Sequence, residues 1–143
     1  MHVSFETSDY TGDIHKKIVV SSENGRKHVA VNPDGRFEVR HYHLDGEIIR
    51  NECCCDYLLA NDSMKKVYYI ELKGSDIGHA IEQLQAGEEI CRASFAEYSA
   101  YYRIVSSKTR TQQLNTAKFR HFQKNAGSDK IKVATNEMKE ILE

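Results

Sequence analysis

Two apolar runs, Cys53 to Ala60 and Lys66 to Lys73, flank the polar turn Asn61-Asp62-Ser63, and each carries charge inside it. Runs of this length bounded by turn residues read as strands, and so short a connection pairs them antiparallel. Side chains alternate across a strand, so Glu71 and Lys73 share one face, roughly 7 Å apart, while Ile70 and Leu72 take the other. On the partner strand Asp56 lies on the face of Cys54 and Leu58. A matching register sets Asp56 beside Glu71.

The rest of the chain builds around this pair. Ile18–Val20 and His28–Val31 read as short strands, with turns at Glu23-Asn24-Gly25 and Asn32-Pro33-Asp34-Gly35. Alternation from Phe37 to Leu44, the pair Asp45-Gly46 and a return at Glu47 to Ile49 predict a hairpin. After Gly74, Ser75 or Asp76 can cap a helix whose Ile77, Ala80, Ile81, Leu84 and Cys91 form one apolar stripe. Ala100 to Ser106 predicts a strand and Thr111 to Ala126 a helix closed by Gly127. Ile131 to Ala134 predicts a last strand, and Thr135 or Asn136 caps a terminal helix burying Met138, Ile141 and Leu142. Strands followed by strand, helix, strand and helix predict an α/β fold, a mixed central sheet flanked by helices. At 143 residues the chain fits a single domain, 1–143, and no repeat or linker divides it.

Two carboxylates side by side repel across a sheet, and a divalent cation between them relieves the repulsion. Hard oxygen ligands suit Mg2+ or Mn2+, leaving positions for water and a phosphate oxygen. An ammonium beside them can orient the attacking water and stabilise charge on phosphorus, as phosphodiester hydrolysis requires.

An Asp, a strand-turn interval and Glu-x-Lys ending the next strand, here Asp56, Glu71 and Lys73, resemble the PD-(D/E)xK nuclease superfamily. The resemblance covers about Asp45 to Ser106. It gains specificity from Gly74 directly after the Lys and from Gln83 on the following helix, where many members place a glutamine. The resemblance implies a restriction-endonuclease-like core, with metal held by Asp56, Glu71 and the Leu72 carbonyl, Lys73 catalytic and Gln83 supporting. Cys55 stands where the family has a proline. Many members add an upstream acid. Glu47 is the nearest candidate, with Glu52, Asp45, Glu38 and Glu23 competing, and the sequence contains no evident helix to carry it.

Each feature also has a plainer reading. Asp56, Glu71 and Lys73 fit a salt-bridged sheet face, but Tyr68-Tyr69-Ile70 makes that strand too apolar for a routine exposed edge. Cys53, Cys54, Cys55 and Cys91 with His41 and His43 lack the spacing of a zinc site and read as buried hydrophobes and a solvated hairpin face. Tyr98, Tyr101 and Tyr102 can stack on bases, though core or sheet-face positions suit at least two of them.

The net charge of −1 hides an asymmetry. From Arg103 to Lys132 eight Lys or Arg face the single acid Asp129, a local charge of +7. Beside a metal pocket such a segment suits a phosphate backbone, with Lys108, Arg110, Lys118, Arg120 and Lys124 as candidate contacts. The expectation is a metal-dependent nuclease cutting DNA as an endonuclease or junction-resolving enzyme, working by analogy as a homodimer, with a protein partner from a defence or mobile-element system as a further option. The alternative is a non-catalytic nucleic-acid- or protein-binding regulatory subunit that retains the nuclease fold. No membrane span and no signal-peptide pattern stand in the sequence, so a cytoplasmic location is expected.

Overall fold

The computed structural model describes residues 5–72, 75–108 and 111–143. Strands β1 (Ile18–Glu23) and β2 (Arg26–Val31) form a hairpin in which Glu23 faces Arg26. Its two-residue turn works because Asn24 and Gly25 both adopt positive φ, 48° and 83°.

Strands β3 (Val39–His43), β4 (Tyr57–Asn61) and β5 (Lys66–Glu71) run antiparallel in succession. The expected hairpin over 37–49 does not form. Leu44 and Ile49 fold into the core instead, with the Ile49 N–H donating to the Leu44 carbonyl at 2.8 Å, and β3 takes β4 as its partner. Burying two large aliphatic side chains outweighs the propensity of Asp45-Gly46 for a two-strand turn.

Helix α1 (Ile77–Cys91) is capped by the Asp76 carboxylate, which accepts the His79 N–H at 3.1 Å, and all five stripe residues are buried. It carries the chain to β6 (Ser99–Ser106), parallel to β5. A second connection, α2 (Thr111–Leu114) and α3 (Ala117–Ala126), leads to β7 (Ile131–Thr135), parallel to β6. The helix expected over 111–126 breaks at Asn115-Thr116, where the Thr116 hydroxyl caps α3 by accepting the Phe119 N–H at 3.2 Å. The result is a five-stranded mixed sheet ordered β3-β4-β5-β6-β7.

Residues 137–141 correct the expected terminal helix. They form β8 (Glu137–Ile141), parallel to β2, giving a second sheet ordered β1-β2-β8. Asn136, at φ 64°, turns the chain between sheets: its N–H donates to Ser106 in the large sheet and its carbonyl accepts from Lys27 in the small one. The helical spacing of Met138, Ile141 and Leu142 is overridden by these ladder bonds.

Among the described residues, the large sheet is thus flanked by helices on one face only. Val67, Tyr69 and Leu58 pack with Ile77, Ile81, Leu84, Phe119 and Phe122 on the helical side. Leu59, Tyr68, Ile70 and Leu72 pack with Val19, Ala30 and Met138 of the small sheet on the other. Parallel crossovers are right-handed as a rule, and two that step the same way across a sheet lay both helical connections on one face, which leaves the opposite face for the small sheet.

Candidate functional site

The β4–β5 register pairs Tyr57 with Ile70, and one further step of it sets Asp56 against Glu71. The Asp56 carbonyl accepts the Leu44 N–H at 2.8 Å, which extends the β3–β4 ladder through this residue. Both carboxylates are buried, Asp56 at 1% exposure and Glu71 at 0%. Asp56 Oδ2 accepts the Leu72 N–H at 2.8 Å, so the first acid is clamped to the peptide following the second. Adjacent buried carboxylates persist only with positive charge close by or a shared proton.

Cysteine chemistry traces the neighbourhood of the pair. The Cys54 thiol is pushed up to about 12, first by burial and then by Asp45, Cys53, Asp56 and Glu71. The Cys55 thiol is held well above its ordinary value by burial and then by Glu71. These thiols stay neutral and act as small apolar groups. Of the competing upstream acids, half-buried Asp45 therefore shares the field of Asp56 and Glu71, while Glu47 and Glu52 are exposed on the surface.

Helix α1 approaches this segment closely because residue 87 is Gly. A Cβ there would stand 2.8 Å from Cys55 Sγ and 3.2 Å from the Cys55 nitrogen. Gln83, one turn earlier, is buried on the same helix. The catalytic candidate Lys73 and the phosphate candidate Arg110 lie outside the described residues.

The Leu72 carbonyl accepts a hydrogen bond from Arg26 Nε. Nothing in the linear pattern signals this contact, since Arg26 comes from the small sheet. One lone pair of the carbonyl is engaged, and a carbonyl oxygen has two. Among the described residues no group of three His, Cys, Asp or Glu side chains is placed to hold a metal ion. Two carboxylates, a carbonyl and water are nonetheless a donor set Mg2+ accepts, because it keeps several waters and takes one or two carboxylates together with substrate phosphate.

The basic segment divides. Arg103 is buried at 3% exposure, with Nε 2.7 Å and Nη2 3.1 Å from the Glu140 oxygens, so its charge is spent inside the protein. Lys118 is paired with Glu82 and lies beside Gly78 in the first turn of α1. Lys108, just beyond β6, is exposed at the end of the sheet that carries Glu71. Arg120 is exposed and bonds Asn115 at 3.2 Å, whereas Lys124 sits in the last turn of α3.

His41 and His43 do not form a solvated face. Both stack on Tyr57, at 5.1 and 4.7 Å between centroids, and His41 Nε2 lies 2.8 Å from Ser21 Oγ of the small sheet. Tyr102 is buried and Tyr98 and Tyr101 are partly so; the Tyr98 hydroxyl donates to Asp62, which binds Arg40 at the opposite end of the sheet. The four cysteines are free thiols, three of them buried. No helix among the described residues is long and apolar enough to cross a membrane.

Comparison of the chain with protein-family models, curated proteins and solved structures finds no match in any of the three.

Proposed function

We propose that the protein is a metal-dependent nuclease hydrolysing phosphodiester bonds in DNA, built on a restriction-endonuclease-like core. The carrying observation is the pairing of two buried carboxylates, Asp56 and Glu71, at the end of β5, two residues before the sequence position of Lys73. Support also comes from the topology, an antiparallel run β3-β4-β5 followed by a helical crossover into parallel β6, with Gln83 buried on that helix.

Asp56 and Glu71 would hold Mg2+ or Mn2+ together with the Leu72 carbonyl. The ion supplies charge neutralisation for the phosphate and a water of lowered pKa. Lys73 would orient that water and offset charge developing on phosphorus, and Gln83 would support the carboxylates from α1. Lys108, Arg110, Lys118 and Arg120 would hold the flanking backbone, with Lys124 further along the same helix.

Supercoiled plasmid, linear duplex, single-stranded and four-way-junction DNA incubated with Mg2+ or Mn2+ test this reading. Cutting that stops with EDTA and in Lys73→Ala is expected; intact DNA in every wild-type reaction would sink it. A second reading, a non-catalytic binding subunit with this fold, is favoured by one observation: Asp56 Oδ2 and the Leu72 carbonyl both already serve protein hydrogen bonds.

A further inference from the structure

Arg26 enters the site from a different layer than the carboxylates. Alternation along β2 puts Arg26 on the same side as His28 and Ala30, facing the large sheet. It is the first residue after the β1–β2 turn, so it stands where the small sheet overhangs the end of β5. Two contacts hold the overhang in place. The Tyr57 hydroxyl donates to the Ser22 carbonyl at 3.1 Å, and Arg26 Nε donates to the Leu72 carbonyl. The residue after each carboxylate is thus tied to the same hairpin.

The guanidinium is rigid and planar, so pinning Nε fixes the two terminal nitrogens beside the Leu72 carbonyl. Among the described residues those terminal nitrogens meet no acceptor, and the side chain is half-exposed. A charged fork held this way, with donors to spare, matches the paired oxygens of a phosphate. The carboxylates lie on the helical face of the strand end and Arg26 reaches it from the opposite one, so a phosphate bound at that end would lie between them.

We propose that Arg26 binds substrate: it grips a phosphate oxygen of the DNA backbone at the strand end while fixing the Leu72 carbonyl. This rests on the nuclease reading above for the place of the phosphate. A residue that only braced Leu72 would affect folding and leave the electrostatics of binding alone.

The test is binding of a short fluorescein-labelled DNA duplex, followed by anisotropy in EDTA over a series of NaCl concentrations, for the wild type, Arg26→Ala and Arg26→Lys. Cleavage with Mn2+ and thermal melts are run on the same proteins. Arg26→Ala should weaken binding by about tenfold and flatten the slope of log Kd against log salt by about one, the signature of one lost phosphate contact. Arg26→Lys, which keeps the charge without the fork, should preserve the slope and recover part of the affinity. Unchanged affinity and slope in a folded Arg26→Ala, or no duplex binding by the wild type, overturns the proposal. If Arg26→Ala loses affinity and slope while the wild type cuts nothing with any metal, the phosphate contact stands and the nuclease reading falls. If both proteins bind and cut alike, the reverse holds.

Discussion

Asp56 and Leu72 are joined by a 2.8 Å hydrogen bond from the Leu72 N–H to Asp56 Oδ2, linking a buried acid to the peptide that follows its neighbour Glu71. The bond fastens the end of β5, a role separable from the cation ligation proposed for the same carboxylate.

Substitutions divide these roles. Asp56→Asn keeps an oxygen that can accept the Leu72 N–H, so it should unfold in urea near the wild-type midpoint yet show no heat of Mn2+ binding in a calorimetric titration. Asp56→Ala should lose both the heat and about 1–3 kcal/mol of stability, because a buried N–H is left without its acceptor. Equal Mn2+ binding by all three proteins would remove Asp56 from the metal site.

At Gly87 two effects oppose each other. Replacing a mid-helix Gly by Ala ordinarily gains about 0.5–1 kcal/mol. Here the new methyl would stand 2.8 Å from Cys55 Sγ with the Cys55 nitrogen 3.2 Å away, and overpacking of this kind costs about 1–3 kcal/mol. Gly87→Ala is therefore expected to destabilise the protein in urea unfolding. Cys55→Ala in the same chain should restore part of the loss, since it removes the sulfur and leaves the backbone contact.

Acid should weaken the contact between the two sheets in two stages. Burial, then Lys16, His28 and His43, bring His41 down to about 4 from an ordinary 6.5. The unfolded chain therefore takes up a proton first, and stability falls as pH drops from about 6.5 to 4. Burial raises Glu140, but hydrogen bonds from His28 and Arg103 outweigh it and carry the carboxyl down to about 2 from 4.5. Its contribution is present above pH 4.5 and is lost as pH falls towards 2. Each stage should be worth on the order of 1–3 kcal/mol. Urea midpoints measured from pH 7 to pH 3 should fall throughout, and His41→Phe should flatten only the upper stage.

Arg103 offers a contrast with the rest of the basic segment. Removing it leaves Glu140, joined to His28 at 2.6 Å, without the guanidinium that binds both its oxygens. Arg103→Ala should cost about 3–5 kcal/mol in urea unfolding. Lys108→Ala, at an exposed position, should stay within about 0.5 kcal/mol of the wild type.

The central hairpin, α1 and the parallel strands were legible because their signals are local and agree with their surroundings. β5 is apolar on both faces since it is covered on both, and the α1 stripe faces one continuous core. Tertiary pairing decided the other elements. Glu137 to Ile141 carries helix-like spacing, yet β2 offers an unfilled ladder beside it and the positive φ of Asn136 aims the chain there. Asp45-Gly46 looks like a hairpin turn, and the burial of Leu44 and Ile49 uses it otherwise. Strand periodicity placed Asp56 and Glu71 on faces that could meet, and the β4–β5 register, which the sequence left as a condition, brings them together. Arg26 was invisible to any such rule, because its partner Leu72 lies in another sheet.

The small sheet also sets an order of events in time. β2 lies between its near neighbour β1 and the distant β8, with Lys27 paired to Glu137. Closing so long a loop is slow compared with forming a hairpin. During refolding, the β3–β4–β5 meander that brings Asp56 to Glu71 should assemble early, and the layer bearing Arg26 should gain its sequence-distant third strand later. Arg26 and the carboxylate pair should therefore reach their final packing at different moments.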